Sequence, residues 1–371
     1  MKQCDKNPKY MLRNCHKSCN FCSKLQALHP YEREKTMKVI EESGLYYYNE
    51  VLEKAEYAKV RRHCQNRDAQ CSYWAALGEC EANPTYMTMH CALACKTCLK
   101  LDVAQRCPVD PSMEDSLKAE ELHPMFENIV MNPDFAKYEP VIHSRPDDVS
   151  KDVEDKHFSD TSLNVTSKIG PWVVTLENFL SDEECDILIK YGHELGFLRS
   201  KDIGELKFDG SFTSSENNGR TSTNAWCDDN CMSNPLVAQV MTRMGQLTKT
   251  PVLNQESLQL LKYEEGQFYQ RHHDFTDMHI DRQQGPRILT FFLYLNDVED
   301  GGGTKFNDLD IVVKPKKGKA LIWPSVLNRN INEKDFRTHH EAMAVKKGLK
   351  YGANVWIHLR DYQTPMRTGC S

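Results

Sequence analysis

An H-x-D pair and a distant histidine are the clearest candidates for chemistry in this sequence. His272 and Asp274 are two residues apart, so on a β-strand their side chains point to the same face and that of His273 to the other. His340, far along the chain, offers a third ligand. Two imidazoles and one carboxylate on one face of a metal ion are typical of non-haem Fe(II) oxygenases, which keep other coordination positions open. The alternative is two strands with hydrogen-bonded histidines and no metal.

Lys350 is the fourth candidate, ten residues after His340 and at the head of an apolar strand that follows a turn at Gly348. A lysine that enters a β core is unfavourable unless an anion pairs with it. In an Fe(II) oxygenase the distal carboxylate of 2-oxoglutarate is the natural anion. The alternative is a lysine whose ammonium extends from the strand end to solvent.

The segments around these residues predict a mainly β domain with flanking helices. Ser181, followed by three acidic residues, is a capping signal for a helix from Cys185 to about His193. Short runs of β-branched and aromatic residues, separated by glycine and proline, then predict strands over 258–263, 288–295, 320–323 and 350–359. Many short strands after a helical lead-in indicate a double-sheet β architecture such as a jelly roll.

Composition and charge exclude several classes of protein. The 371 residues are 40% hydrophobic and 27% charged, as in ordinary globular proteins. The net charge of −6, without a basic stretch, argues against a nucleic-acid partner. The longest apolar run, 288–295, is far shorter than the roughly 20 residues of a membrane-spanning helix.

The fifteen cysteines are concentrated at the N-terminal end, with ten of them between Cys4 and Cys98. Such a cluster before a cysteine-poor segment indicates a disulfide framework joined to a self-sufficient core, and hence the secretory pathway. The first residues contain no apolar signal region, so we expect either an upstream start or a fragment. A membrane association is expected only if a missing N-terminus carries an anchor.

The cysteine-rich segment contains an internal repeat. Its second copy has the spacing C-x6-C-x8-C-x10-C-x3-C-x2-C over 64–98, and the first copy, over 4–22, matches the last four of these cysteines. Each copy also has Asn-Pro at the same offset. A zinc site is the competing interpretation of C-x2-C, but six cysteines suit three disulfides better.

Both copies resemble the ShKT toxin-like module, a small disulfide-held domain. For the second copy the resemblance implies the pairs Cys64–Cys98, Cys71–Cys91 and Cys80–Cys95. The first copy lacks the first two cysteines and is therefore expected to be a truncated module. Residues 25–62, between the copies, are interpreted as a helical connector. Residues 99–168, after the second copy, are interpreted as an acidic linker.

Five further cysteines lie outside the repeat. Cys227 and Cys231 stand in a polar, loop-like segment and are predicted to form a local disulfide, with a reactive thiol as the alternative. The pattern assigns no role to Cys107, Cys185 and Cys370.

Residues 172–362 resemble the prolyl 4-hydroxylase family of 2-oxoglutarate/Fe(II) dioxygenases. The order and spacing of the matching stretches carry the resemblance: 258–263, 269–274, 287–290, 302–306, 315–321, and 337–340 through Lys350. One departure is Ala344, where the family usually has proline. A double-stranded β-helix fold is the architecture that the resemblance implies.

The resemblance also implies roles for individual residues. His272, Asp274 and His340 are the implied iron ligands, and Lys350 the implied anchor of the 2-oxoglutarate carboxylate, with Tyr263 and Thr304 as further cosubstrate-binding positions. Seven residues resemble positions that line a peptide groove: Arg220, Ser222, Glu256, Tyr269, Arg287, Trp356 and His358. The alternatives are that Trp356 and Tyr269 are ordinary core aromatics and that Arg287 pairs with an acid.

The implied function is that of a procollagen-proline 4-dioxygenase-like enzyme. It would hydroxylate peptidyl proline at C4 with Fe(II), 2-oxoglutarate and O2, release succinate and CO2, and use L-ascorbate to keep the iron reduced. A proline-rich or collagen-like protein in the endoplasmic reticulum lumen is the expected substrate, with the ShKT modules as protein-interaction appendages. The alternatives are oxidation of another residue or a small molecule, and a secreted ShKT binding protein with a vestigial oxygenase domain.

Overall fold

A computed structural model describes residues 29–146, 168–206, 212–367 and 370. The chain divides into two compact units. Unit 1 comprises residues 1–109, 205–213 and 368–370, and unit 2 comprises residues 110–204 and 214–367 together with residue 371. The predicted truncated module over 4–22 lies outside the described residues. Within the described ranges, no helix is both long enough and apolar enough to cross a membrane.

Unit 1 is helical and held by disulfides. The pairs Cys64–Cys98, Cys71–Cys91 and Cys80–Cys95 are those that the ShKT resemblance implies. A further disulfide in this unit joins Cys107 to Cys370 across a sequence separation of 263. The helices are α1 (Pro30–Tyr46), α2 (Cys71–Ala76), α3 (Glu79–Ala82), α4 (Pro84–His90) and α5 (Val103–Arg106), and a π-helical turn, Tyr47–Val51, continues α1.

The segment interpreted as a connector contributes to the core of unit 1. Helix α1 ends at Tyr46, and Tyr46, Val51, Tyr57 and Val60 are buried in one cluster with the Cys64–Cys98 disulfide. Three disulfides alone give a small module little apolar core, so the preceding helix supplies the apolar side chains that cover it.

The described part of unit 2 is built on two large facing sheets, with short two-stranded sheets beside them and a helical layer, which confirms the predicted mainly β fold with flanking helices. Its helices are α6 (Leu122–Met131), α7 (Asp182–Leu195), α8 (Asp229–Met232), α9 (Pro235–Thr248) and α10 (Gln363–Arg367). The described strands of the chain are β1 (Pro140–Arg145), β2 (Lys168–Ile169), β3 (Val173–Leu176), β4 (Leu198–Arg199), β5 (Asp202–Leu206), β6 (Phe212–Ser215), β7 (Thr223–Trp226), β8 (Gln259–Tyr263), β9 (Tyr269–His272), β10 (Arg287–Tyr294), β11 (Asp300–Gly301), β12 (Thr304–Phe306), β13 (Ile311–Val313), β14 (Ala320–Pro324), β15 (Val326–Leu327), β16 (Asn330–Lys334), β17 (His340–Ala342), β18 (Val345–Lys347) and β19 (Lys350–His358).

The major sheet has the strand order β2-β1-β3-β14-β10-β19-β8-β7-β4, and the minor sheet has the order β13-β12-β17-β9. The four strands predicted from sequence correspond to β8, β10, β14 and β19, with bounds within a residue or two. Strand β10 is apolar except for Arg287 and Thr290, because both of its faces are covered. Leu289, Phe291 and Leu293 pack in the core that includes the helices, whereas Phe292 and Tyr294 face the minor sheet.

Helices α6, α7 and α9 cover the outer face of the major sheet. The capping box predicted at Ser181 is present, and α7 begins at Asp182, earlier than expected. Glu184 completes the box and also accepts two hydrogen bonds from Arg243 of α9, at 2.7 and 3.0 Å. This charged pair connects the first turn of α7 to the middle of α9.

Part of the segment interpreted as an acidic linker belongs to the fold of unit 2. Helix α6 buries Leu122, Met125, Phe126, Ile129 and Val130, and β1 pairs with β3 in the major sheet. The apolar residues recur at helical spacing, which the many flanking acids and prolines obscure. Unit 2 therefore begins well before residue 172.

Candidate active site

Three predicted ligands meet between the two sheets. His272 ends β9, Asp274 follows it, and His340 begins β17 directly opposite His272 in the antiparallel pairing. One nitrogen of each histidine and one oxygen of Asp274 lie within 4.8 Å of one another. The Nε2 atoms of His272 and His340 are 3.8 and 3.7 Å from the Asp274 carboxylate oxygens, too far for hydrogen bonds.

The backbone fixes the tautomer of both histidines. His272 Nδ1 lies 2.9 Å from the Gln270 carbonyl oxygen, and His340 Nδ1 lies 3.0 Å from that of Thr338. A carbonyl can only accept, so each Nδ1 carries the proton and each Nε2 presents a lone pair to the centre. This outer hydrogen bond is the usual device that orients a metal-binding imidazole.

Asp274 is buried and ionised. Its Oδ2 accepts a 2.7 Å hydrogen bond from the Thr290 hydroxyl, which β10 carries into the space between the sheets. Burial alone would raise the pKa of Asp274, but His340, His272 and the Thr290 hydroxyl lower it to about 2. Burial, together with the neighbouring His340, lowers the pKa of His272 well below its ordinary value. At neutral pH the site therefore combines a carboxylate with a neutral His272 imidazole.

This cluster fits a divalent metal ion. Two imidazole lone pairs and a buried carboxylate converge, and three acceptors at such distances repel one another unless a cation lies between them. Two histidines and one carboxylate are the ligand set that suits non-haem Fe(II).

Lys350 is fully buried in the same space between the sheets. Its Nζ has no hydrogen-bond partner within the described residues and lies 4.7, 5.0 and 5.5 Å from the ring centroids of Phe292, Tyr263 and Tyr294. Burial lowers the pKa of Lys350 to about 7. The Tyr294 hydroxyl donates a 2.7 Å hydrogen bond to Thr304 Oγ1 at the edge of this aromatic pocket. A buried amine without a partner fits an anion.

Four of the predicted groove residues form one buried network. Arg287 donates to both oxygens of Glu256, at 2.6 and 3.1 Å, and its guanidinium lies 4.0 Å from the Trp356 ring centroid. His358 contacts Glu256 Oε1 at 2.8 Å. Burial alone would raise the pKa of Glu256, but Arg287 and His358 lower it to about 2. The Trp356 Nε1 donor has no partner within the described residues.

The other three predicted groove residues lie on the His272 side. Tyr269 stacks on the His272 ring with centroids 3.7 Å apart, and the Arg220 guanidinium lies 4.5 Å from the Tyr269 centroid. Ser222 is fully buried, and its hydroxyl donates to that of Ser200 at 3.0 Å. Its hydroxyl therefore already has a partner inside the protein.

Two polar residues that the sequence reasoning missed support the site. Thr290 holds Asp274, and it could have been noticed as the polar residue within the apolar run 288–295. Asp202 accepts hydrogen bonds from Tyr269 and Arg220, at 3.1 and 3.3 Å. No local sequence signal marks Asp202, because its partners lie far along the chain.

Comparison with known proteins assigns both parts of the chain to families. The model of the 2OG-Fe(II) oxygenase superfamily matches residues 258–358, and the ShK domain-like model matches residues 1–22 and 63–98. Probable prolyl 4-hydroxylase 7 of Arabidopsis thaliana is 32% identical over 224 residues, which are 54% of this chain and 67% of the relative. The chain belongs to the prolyl 4-hydroxylase family.

Alpha subunits of animal prolyl 4-hydroxylases match over a smaller share of this chain and of their own length. Prolyl 4-hydroxylase subunit alpha-2 of Gallus gallus is 38% identical over 144 residues, 38% of this chain and 26% of that subunit. This chain thus spans about a quarter of the length of the animal alpha subunits that it matches. A viral collagen prolyl hydroxylase from Paramecium bursaria Chlorella virus-1 has a solved structure with 26% identity and a TM-score of 0.40, over 51% of this chain and 97% of that one.

Membership of this family implies Fe(II) and 2-oxoglutarate as the metal and the cosubstrate. The segment matched by the oxygenase model includes His272, Asp274, His340 and Lys350. Five disulfides join described cysteines, which indicates an oxidising, secretory compartment, and Cys185 is the buried free cysteine of the described residues. The predicted Cys227–Cys231 disulfide is among the five.

Thr290→Val should weaken metal binding without changing side-chain shape. It removes the hydroxyl that holds Asp274 Oδ2, and loss of such an outer hydrogen bond costs about tenfold in metal affinity. Titration with Co(II), followed by visible absorption, measures the dissociation constant. Thr242→Val, the same change on the exposed side of α9, is the control. Equal Co(II) affinity in the Thr290→Val variant and the wild type would contradict this role.

Lys350→Met should raise the free energy of unfolding at pH 7 in the absence of 2-oxoglutarate, because a thioether suits the aromatic pocket and needs no partner. The folded pKa of Lys350, about 7, lies below the ordinary value of about 10.4. Between these values the unfolded chain binds more protons, so wild-type stability rises with pH relative to the variant. The amount by which the free energy of unfolding of Lys350→Met exceeds that of the wild type should therefore shrink by about 2 kcal/mol from pH 7 to pH 9.

Urea unfolding at the two pH values measures this difference. Lys319→Met is the matched control, because Lys319 is a mostly buried lysine that pairs with Glu177 at 3.1 Å. Its removal should lower the free energy of unfolding. A stability difference between Lys350→Met and wild type that stays constant with pH would show that the Lys350 amine is not desolvated.

Proposed function

We propose that this protein hydroxylates peptidyl proline at C4, using Fe(II), 2-oxoglutarate and O2 and releasing succinate and CO2. The observation that carries the proposal is that the His272, Asp274 and His340 cluster and the unpartnered amine of Lys350 both border the one core cluster between the two sheets. Family membership supports the same chemistry. When bound, Fe(II) supplies the activation of O2 that couples decarboxylation of 2-oxoglutarate to hydroxylation.

Iron would be held by His272 Nε2, His340 Nε2 and a carboxylate oxygen of Asp274. The backbone carbonyls at Gln270 and Thr338 keep both Nε2 atoms unprotonated, and the Thr290 hydroxyl holds the carboxylate in place. The ligands are therefore oriented before the metal arrives, which lowers the cost of binding it.

Lys350 would bind the distal carboxylate of 2-oxoglutarate. The ammonium form is unfavourable in the apolar pocket of Phe292, Tyr263 and Tyr294, and a carboxylate removes that penalty by pairing with it. Thr304, at the edge of the pocket, offers a hydroxyl to the same carboxylate. The surrounding rings exclude water, so the ion pair forms in a medium where it is strong.

The peptide would lie along Tyr269, Arg220, Arg287 and Trp356. Trp356 has an unpaired N–H that would donate to a peptide carbonyl, and the Arg287 guanidinium lies beside it, 4.0 Å from the ring centroid. Glu256, His358 and Ser222 are fully or almost fully buried and bonded within the protein. Their burial favours a supporting role, in which Glu256 and His358 hold the Arg287 guanidinium in place.

The substrate that we propose is a proline-rich or collagen-like protein of the secretory pathway, encountered in the endoplasmic reticulum lumen. The disulfides of unit 1 require an oxidising compartment, and several relatives carry names of prolyl or collagen prolyl hydroxylases. The ShKT modules would serve as protein-interaction appendages, and L-ascorbate would keep the iron reduced between turnovers.

The test is incubation of the whole chain with Fe(II), ascorbate, 2-oxoglutarate and a proline-rich peptide. We expect a peptide mass gain of one oxygen, and 4-hydroxyproline after hydrolysis of the peptide. His340→Ala should abolish both because it removes a ligand. His339→Ala is the matched control, since His339 is the neighbouring histidine and its Nδ1 bonds the Phe336 carbonyl outside the metal cluster.

Two results would contradict the proposal in different ways. Succinate formation without peptide oxidation would keep the oxygenase and overturn the proline substrate. Absence of both products from a protein with bound iron would overturn the catalytic role itself.

A further inference from the structure

Asp202 is linked to the metal cluster through two aromatic rings. Its Oδ1 accepts the Tyr269 hydroxyl at 3.1 Å, and the Tyr269 ring stacks on the His272 ring at 3.7 Å with an angle of 20° between their planes. The tyrosine hydroxyl is the donor, because an ionised carboxylate can only accept. A chain of direct contacts thus runs from Asp202 to a proposed iron ligand.

Arg220 joins the same arrangement. Its Nη1 lies 3.3 Å from Asp202 Oδ1, its Nη2 donates to Gln259 Oε1 at 3.1 Å, and its guanidinium lies 4.5 Å from the Tyr269 centroid. Arg220 is almost fully buried, and Asp202 supplies the negative charge that compensates it. The Asp202 carboxylate therefore holds both the Tyr269 hydroxyl and the Arg220 guanidinium that lies near the Tyr269 ring.

The His272 ring depends on Tyr269 for its orientation. The bond from Nδ1 to the Gln270 carbonyl defines one end of the imidazole but leaves rotation about that bond. A parallel ring at 3.7 Å removes this freedom, because tilting the imidazole would bring it into the tyrosine ring. The hydroxyl of Tyr269, held by Asp202, in turn prevents the tyrosine from swinging away.

We propose that Asp202 is a positioning residue for the metal site, which holds His272 Nε2 towards Asp274 and His340 by fixing the Tyr269 ring. The inference rests on the iron site proposed above. Asp202 and Arg220 both precede the segment, 258–358, that the oxygenase model matches. The observations that carry the inference are the contacts around Tyr269.

The test is Co(II) binding to the whole chain, followed by the visible absorption of the bound metal. Asp202→Ala should weaken Co(II) binding about tenfold, as for other outer residues of metal sites, and should change the absorption spectrum because one imidazole is less well oriented. Asp202→Asn, which keeps an oxygen acceptor, should recover part of the affinity. Glu216→Gln is the control, since Glu216 forms a neighbouring exposed ion pair with Lys201 at 3.4 Å.

Tyr269→Phe tests the same link from its other end. It removes one hydroxyl and keeps both the ring and the Asp202–Arg220 pair, so it carries the test even where Asp202→Ala fails to fold. The double variant should bind Co(II) no more weakly than the weaker single variant, because both changes break one connection. Additive losses of affinity would overturn the inference.

Two results separate this inference from the proposed function. Wild-type Co(II) affinity and spectrum in both Asp202→Ala and Tyr269→Phe would overturn the positioning role while the iron site stands. A wild-type chain that binds no Co(II) at all would overturn the iron site, and the positioning role with it.

Discussion

The antiparallel pairing of β9 with β17 is the constraint on which the rest of the site depends, because it sets His272 opposite His340. Each of these two histidines has a second histidine next to it in the chain, His273 after β9 and His339 before β17, so a register slip of one residue would bring the wrong histidine to the centre. His273 opposes such a slip from the other face. Its Nε2 contacts the Asp335 carbonyl at 2.9 Å and the Thr338 hydroxyl at 3.0 Å. These contacts connect the residue after β9 to the segment that precedes β17.

Strand β10 then connects the metal cluster to the anion pocket. Its alternation places Thr290, Phe292 and Tyr294 on the face towards the minor sheet, where the first holds Asp274 and the others surround Lys350. The buried amine of Lys350, without a partner in the described residues, lowers the stability of the free protein. Such a cost is characteristic of functional sites, and bound metal and cosubstrate would offset it.

The sequence indicated most of the site and less of the fold around it. The His272, Asp274 and His340 cluster and Lys350 are visible because an H-x-D pair and a lysine at the head of an apolar strand are local signals. Helix α6 and β1 were hidden by the acidic composition of the segment that contains them. Asp202 and the Cys107–Cys370 disulfide depend on contacts between distant parts of the chain, which periodicity and spacing do not encode.

Anomalous diffraction at the iron absorption edge, from crystals of the whole chain grown anaerobically with Fe(II) and 2-oxoglutarate, tests the central claim most directly. The account predicts one iron peak bonded to His272 Nε2, His340 Nε2 and an Asp274 carboxylate oxygen, with a carboxylate of 2-oxoglutarate on Lys350 Nζ. An iron peak bonded elsewhere, or an iron-loaded crystal in which Lys350 contacts no carboxylate, would contradict it.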